Sequence, residues 1–500
     1  MTLRVNADPV APPATATHRY RFFVSTNGYG IYIDTARYAE FYIGSSKSRE
    51  SIKPETQSAS PATSQSELYK NRMEYETHIS VMIPAAKGAD LYIMEGETIT
   101  DVVAQYNMLS GGGPEVPQWA LSALYRCYVQ SNQEDVLALA RHFKAAELPI
   151  KTIGIEPGWQ THAYSCSYIW NTEHFPQYKK MLQELFEMGY HVNLWEHAFI
   201  NPAATFFDEI KNYSGDYAVF NGCIPDFATE EARRIFADYH KRLVDEGVDG
   251  FKLDECDGSD FVQCWSFPNH TEFPSGLDDE QYHSLFGTLY MQTVMEALRG
   301  KPVLSEVRSA GALAAPYPFV LYSDLYDHAD FVRGCCTAGF SDLLWAPEVR
   351  KVESRTKEEF MRRLWGNVFS VQCLINGWNY EIIPWQELDC EQEVKAALNE
   401  REKLVPVLKK AFDLYKTKGI PPMRALVSDY TDDSETYNID NEYLLGDSLL
   451  VAPIIYGTQS RRVYLPKGEW RDYFTKEPKD SGWFEVQTDM IPAYEKCDKK

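Results

Sequence analysis

Nowhere in these 500 residues does an apolar run approach the roughly 20 needed to cross a bilayer as a helix. Met1–Thr17 likewise lacks the charged-then-apolar layout of a secretory leader, so the chain as given reads as cytoplasmic. Positive charge is scarce. Against 72 Asp and Glu stand 49 Lys and Arg, a net charge of -23, which disfavours a nucleic-acid backbone or an anionic membrane as partner and leaves neutral ligands unaffected. The ten cysteines form no CxxC pair, and Cys335 and Cys336 are adjacent, which argues against a disulfide scaffold and for thiols. No metal-ligand spacing and no glycine-rich nucleotide loop appears, so the expected chemistry needs no cofactor and no metal.

What is present is an aromatic-rich chain, with 32 Tyr, 25 Phe and 11 Trp, long enough for two or three domains. Ala7–Thr17 is aperiodic and rich in Pro, Ala and Thr, and reads as a disordered lead-in. Two β-rich runs around Asn27-Gly28 read as a hairpin, and further strands are expected at His78–Ile83 and Ala89–Met94. From Trp119 the pattern turns to alternating helices and short apolar strands, the mark of βα units and a parallel sheet. These signals give an all-β opening over 1–118 and then a run of βα units, of a length that a (β/α)8 barrel needs.

The centre of the pattern is Gly247-Val-Asp-Gly-Phe-Lys-Leu-Asp254-Glu-Cys-Asp257, a helix exit and buried strand that ends in acids. In a barrel of this kind the chemistry sits at the C-terminal strand ends, so Asp254 is the candidate nucleophile. Other strands also close in polar or aromatic groups. Pro149–Ile155 ends in Glu156 and Trp159, and Gly189–Leu194 in Trp195, Glu196 and His197; Pro302–Val307 ends in Arg308 and Leu321–Ser323 in Asp324, while a later turn carries Trp378. A long insert, Asp260–Asp279, reads as a lid.

Asp249-Gly-Phe-Lys-Leu-Asp254 resembles the nucleophile strand of glycoside hydrolase family 31, the retaining α-glycosidases. Tyr443-Leu-Leu-Gly-Asp-Ser-Leu-Leu-Val-Ala-Pro and Val463-Tyr-Leu-Pro-Lys-Gly-Glu-Trp resemble that family's proximal C-terminal sandwich, and the resemblance implies a partial N-terminal β-sandwich over 1–118, a catalytic (β/α)8 barrel over 119–420 and a C-terminal β-sandwich over 421–500. The resemblance implies a glycoside or oligosaccharide substrate, with Asp254 attacking the anomeric carbon and Asp324 as acid/base. Asp327 and Asp330 are neighbouring competitors for the acid role. It further implies a sugar pocket walled by Glu156, Trp159, Trp195, Glu196, Lys252 and Trp378, with Arg308 keeping Asp254 ionised.

Within that resemblance, the sugar stays open among α-glucosides, α-xylosides and α-galactosides. Glu156 stands where the family more often has Asp, and this longer acid leans the expectation toward an α-galactoside pocket. Ser323-Asp324-Leu325 departs from the family's usual Gly-Asp-Asn/Asp triplet, which keeps a catalytically silent sugar-binding homologue as the alternative. Transfer of the sugar to an acceptor other than water uses the same residues.

Overall fold

The computed structural model describes residues 2–5, 15–16, 21–43, 79–257, 265–322, 327–346, 348–350 and 356–497. Its centre is an all-parallel sheet of eight short strands: β1 (Ala123–Arg126), β2 (Ile150–Ile155), β3 (His191–His197), β4 (Gly250–Asp254), β5 (Ser305–Val307), β6 (Phe319–Leu321), β7 (Val349–Arg350) and β8 (Cys373–Asn376). Strands β1 to β6 pair in sequence order, and β8 lies between β1 and β7. A parallel bridge from Leu321 to Trp345 closes the last seam, with the Leu321 amide donating to the Leu344 carbonyl at 2.7 Å. The fold is therefore a (β/α)8 barrel.

Each strand is buried on both faces, which is why the strands read as nearly continuous apolar runs. In β4 all five residues are buried. Phe251 and Leu253 belong to the hydrophobic core, whereas Lys252 and Asp254 meet the polar groups of the barrel interior. The helix before β4 is capped by Thr229, whose side chain accepts from the Ala232 amide, with Glu230 and Glu231 at its positive end. It ends at Asp245, and Gly247 turns the chain at φ 114°, a left-handed conformation that suits glycine. The Asp249 amide then donates to the Val192 carbonyl and draws the chain into register beside β3.

Ahead of the barrel, Phe22–Ser25 and Tyr29–Asp34 form the expected hairpin, extended by Asp90–Glu95 into a three-stranded sheet. A second sheet holds Thr2–Val5, Thr15–Ala16, Glu40–Ile43 and Ile79–Met82. Thr15 and Ala16 thus lie in a strand where composition alone suggests disorder. The helix Ile99–Leu109 interrupts what reads as an all-β opening; its signal is the capping box of Thr98 and Asp101. After the barrel, six strands between Met423 and Lys496 form one sheet, and Ser460–Leu465 pairs with Gly482–Gln487 in a second. Leu426, Leu444, Leu450, Val463, Leu465, Trp470 and Tyr494 close the core between them.

Lys357–Val368 is a helix capped by Thr356, and His328–Ala338 is a helix capped by Asp327. The described part of the insert is packed down: Phe267 and Phe273 are buried against Tyr282 and Phe286, so an aromatic cluster, not an open lid, occupies that side. No helix among the described residues is long and apolar enough to cross a membrane.

The base of the barrel depends on one cation. Arg401 is fully buried in the helix Glu391–Lys418 and donates to the carbonyls of Leu121, Val368, Ser370 and Val371 at 2.5–3.1 Å. Removing it strands four buried acceptors, each costly to leave unpaired. Arg401→Met is expected to cost about 3 kcal/mol or more in guanidinium unfolding. A loss below about 0.5 kcal/mol, the level of an ordinary surface change, would refute this.

Candidate active site

Strand register brings the polar groups of the barrel interior to one end. Trp195 lies opposite Lys252 and His197 opposite Asp254 across the β3–β4 pair, while Lys252 lies opposite Glu306 across β4–β5. Every second residue of β3 and β4 therefore faces the interior.

Asp254 is held from several directions. Trp195 Nε1 donates to its Oδ2 at 2.7 Å and the Glu255 amide donates to its Oδ1 at 2.9 Å. Burial pushes this carboxyl up, but Arg308, Lys252 and the neighbouring polar groups of Tyr322 and Trp195 outweigh it and bring it down to about 2. Asp254 is thus an anion at neutral pH. Glu255, the next residue, sits at φ 53°, a conformation that costs a non-glycine residue energy and is often met beside working side chains.

The cations that face Asp254 are themselves fixed. Arg308 donates through Nε to Asp257 Oδ2 at 3.1 Å, and its guanidinium lies 5.7 Å from the Tyr322 ring centre. Lys252 Nζ lies 4.6 Å from the centre of the same ring and 3.9 Å from Glu156 Oε1. Burial pushes Asp257 up despite Arg308, which leaves Asp254 the more acidic of the two carboxyls.

Below this level lies a second polar layer. Arg126 donates to Glu156, and through Nη1 to Asn193 Oδ1 at 2.8 Å and Glu306 Oε2 at 3.3 Å; Gln372 donates to Glu306 Oε1 at 2.7 Å. At the rim, Tyr164 is 54% exposed, with its ring centre 5.4 Å from those of both Trp195 and His197. Burial drives His197 down to about 3, so its imidazole stays neutral. On another side Trp378 is half-buried at the end of β8, with the Arg350 guanidinium 5.9 Å from its ring centre. Arg350 and Asn376 both donate to Glu348.

The barrel accordingly gathers Glu156, Trp195, Lys252, Asp254 and Arg308 into one cluster. Two proposed pocket walls are corrected. Trp159 is completely buried and donates its indole N–H to the Trp195 carbonyl at 2.7 Å, so it supports Trp195 from behind and presents no face to a sugar. Glu196 points away from the interior: Tyr290 donates to its Oε1 at 2.7 Å and His240 lies 2.9 Å from its Oε2, in the layer between strands and helices. Period-two alternation from Trp195 could have shown this, since neighbours on a strand face opposite sides.

Asp324 lies outside the described residues. Its two competitors are otherwise engaged: Asp327 accepts from the Asp330 amide as a helix cap, and Asp330 is exposed and pairs with Arg333. The sequence reading passed over Tyr322, Arg126, Asn193, Glu306 and Gln372. For Arg126, Asn193 and Glu306 the available signal was a charged or amide side chain inside an otherwise apolar buried strand, where it needs a partner.

Comparison with known proteins agrees with this architecture. The family model described as "Glycosyl hydrolases family 31 TIM-barrel domain" matches residues 113–411, and "Glycosyl hydrolase family 31 C-terminal domain" matches residues 419–499. Alpha-glucosidase 2 of Bacillus thermoamyloliquefaciens is 24% identical over 454 residues, covering 84% of this chain and 57% of that protein. An alpha-xylosidase of Saccharolobus solfataricus is 24% identical over 451 residues, covering 83% and 60%. The chain thus spans about three fifths of the length of these relatives. Among solved structures, a GH31 dextranase of Flavobacterium johnsoniae complexed with glucose superposes with a TM-score of 0.82 at 21% identity, covering 99% of this chain and 63% of that one. A GH31 alpha-xylosidase from a soil metagenome complexed with xylose gives 0.80 at 18% identity, covering 99% and 75%.

Proposed function

This chain belongs to glycosyl hydrolase family 31, and from that premise we propose that it is a retaining exo-α-glycosidase working by double displacement. The observation that carries the reading is Asp254: a buried carboxylate kept ionised by Arg308 and Lys252 and oriented by Trp195 and its own neighbour's amide. Such a group is suited to attack an anomeric carbon, because its charge is available without a base and its direction is set before substrate arrives.

In the first step the Asp254 carboxylate forms a bond to the anomeric carbon as the glycosidic C–O bond breaks. The leaving oxygen takes a proton from Asp324. In the second step water attacks the same carbon, Asp324 takes back a proton, and the bond to Asp254 breaks; two inversions return the α configuration. The proposed sugar contacts are Glu156, Lys252, Arg308 and Trp378, with Trp195 acting through Asp254. The test is a panel of nitrophenyl α-glycosides with the product anomer followed by NMR. Release of the α-anomer first is expected, and β-anomer release, or no turnover of any member, would overturn the reading.

Within the panel the preferred sugar is proposed to be the α-galactoside, on the reach of Glu156. Glucosides and xylosides belong in the same panel because the relatives are named alpha-glucosidase and alpha-xylosidase. A carboxylate one methylene longer than Asp shifts its accepting oxygens by about one C–C bond, and misplacing one such hydrogen bond costs on the order of 1.5–3 kcal/mol. Glu156→Asp is therefore expected to lower kcat/KM on the galactoside and to narrow the galactoside-to-glucoside ratio about tenfold or more. A wild type that prefers glucosides, or a ratio that does not move, removes the galactoside proposal and leaves the retaining mechanism standing.

A further inference from the structure

The innermost cation of the barrel belongs to none of the residues proposed above to meet a sugar. Arg126 is fully buried, and its side chain lies across Gly154 of β2, where a Cβ would fall 2.9–3.0 Å from its Cγ, Cζ and Nη1. Nη1 donates to Asn193 and Glu306, as described above. Glu306 cannot swing to follow a displaced arginine, because Asn193 Nδ2 donates to its Oε2 at 3.1 Å and Gln372 Nε2 to its Oε1 at 2.7 Å. The guanidinium is planar, so fixing Nη1 from β3 and β5 also fixes the direction of Nε. Nε donates to Glu156 Oε1, and Lys252 Nζ approaches that same oxygen at 3.9 Å. Both cations converge on Oε1. No hydrogen bond to Oε2 is formed by any described residue, and Glu156 keeps a 4% exposed margin.

We propose that Arg126 is the positioning residue for sugar recognition: anchored by Glu306 and Asn193, it occupies Oε1 of Glu156 and leaves Oε2 as the single oxygen directed at a substrate hydroxyl. The pocket's choice among sugars is thereby set from the floor of the barrel, one layer below any contact with substrate. This inference rests on the glycosidase reading above. A merely structural arginine would lower the amount of folded enzyme, or all substrates' rates together. A positioning arginine changes the ratio between sugars that differ in one hydroxyl, because it acts through the direction of one acceptor.

The experiment compares wild type, Arg126→Met, Glu156→Gln and the double variant on the α-galactoside, α-glucoside and α-xyloside nitrophenyl substrates, with thermal midpoints recorded alongside. Arg126→Met is expected to reduce kcat/KM on the preferred sugar about tenfold or more and to compress the ratios toward those of Glu156→Gln. The double variant is expected to match Glu156→Gln within about threefold, since an arginine acting through Glu156 has nothing left to act on. Equal losses on all three sugars, or losses that multiply in the double variant, overturn the inference. Should Arg126→Met not fold, Arg126→Lys keeps the charge but loses the rigid fork. Folded Arg126→Lys with compressed ratios supports the proposal, and with wild-type ratios it overturns it. A wild type inactive on every sugar overturns the glycosidase reading and this inference with it; an active wild type with ratios indifferent to Arg126 overturns this inference alone.

Discussion

Asp254→Asn is expected to reduce turnover roughly 10⁴-fold or more while the barrel remains folded. The amide is nearly isosteric with the carboxylate, and its one remaining oxygen can still accept either the Glu255 amide or the Trp195 indole N–H. It cannot accept both, and it carries no charge to form the bond to carbon. The loss is also expected in stability. The carboxyl stands at about 2 against an ordinary 3.8, so its ionised form is favoured in the folded protein by about 2 kcal/mol. Because the folded value is the lower one, that stabilisation is present at neutral pH, begins to fade as pH falls below the unfolded value, and is gone once pH has passed the folded one. Asp254→Asn should therefore unfold at lower denaturant than wild type at pH 7, with the gap closing toward pH 2. A fluorinated α-glycosyl substrate that traps the covalent intermediate should label the peptide carrying Asp254 in wild type alone. Ordinary turnover in a variant of ordinary stability would remove Asp254 from the mechanism.

The same electrostatics assign the acid limb of the pH profile to some other group. A carboxyl held at about 2 does not titrate above about pH 4, so any acid limb of kcat/KM observed at higher pH reports another group or the substrate.

Much of this molecule is legible in its sequence, for identifiable reasons. The βα alternation from Trp119 and the helices beginning near Glu134, Tyr178 and Glu230 announce themselves through apolar period, the last also through its Thr229 cap, and the structure places helices at Gln133–Ala145, Tyr178–Met188 and Glu230–Asp245. Asp254 could be singled out because it ends a buried strand at the barrel face that carries the chemistry, and because its phrase resembles the nucleophile strand of family 31. Side-chain direction was harder. Glu196 and Trp195 are adjacent in sequence, but one faces the helices and the other Asp254. Reading the phrase Trp-Glu-His as a unit concealed the alternation that separates them. Trp159 was hidden by tertiary packing, since nothing local says that its indole is spent on the Trp195 carbonyl. The floor of the site was hidden for a different reason: Arg126, Asn193, Glu306 and Gln372 come from or beside four strands, bonded partners among them lie up to 180 residues apart, and their partnership exists only after the barrel closes.

Loss of Asp324, the proposed acid, is expected to have the second large effect, and one whose size depends on the substrate. Asp324 follows β6 as Asp254 ends β4, and two carboxyls about 5–5.5 Å apart are what a retaining mechanism requires. Asp327 is spent as a helix cap and Asp330 on Arg333, so neither is free to shuttle a proton without giving up its present role. Asp324→Ala should cut kcat/KM by on the order of 10²–10⁴ on glycosides with poor leaving groups, which need the proton, and far less on activated aryl glycosides, which depart without it. On the activated substrates the glycosyl-enzyme should then accumulate, because no base remains to activate water. Azide needs no base; it should restore turnover and release an α-glycosyl azide, the α configuration following from two successive inversions at the same carbon. Asp327→Ala and Asp330→Ala are the controls, and both should keep ordinary leaving-group dependence, with Asp327→Ala losing about 1 kcal/mol of stability through its helix cap. Azide rescue in either control and its absence in Asp324→Ala would transfer the acid/base role to that residue and leave the assignment of Asp254 intact.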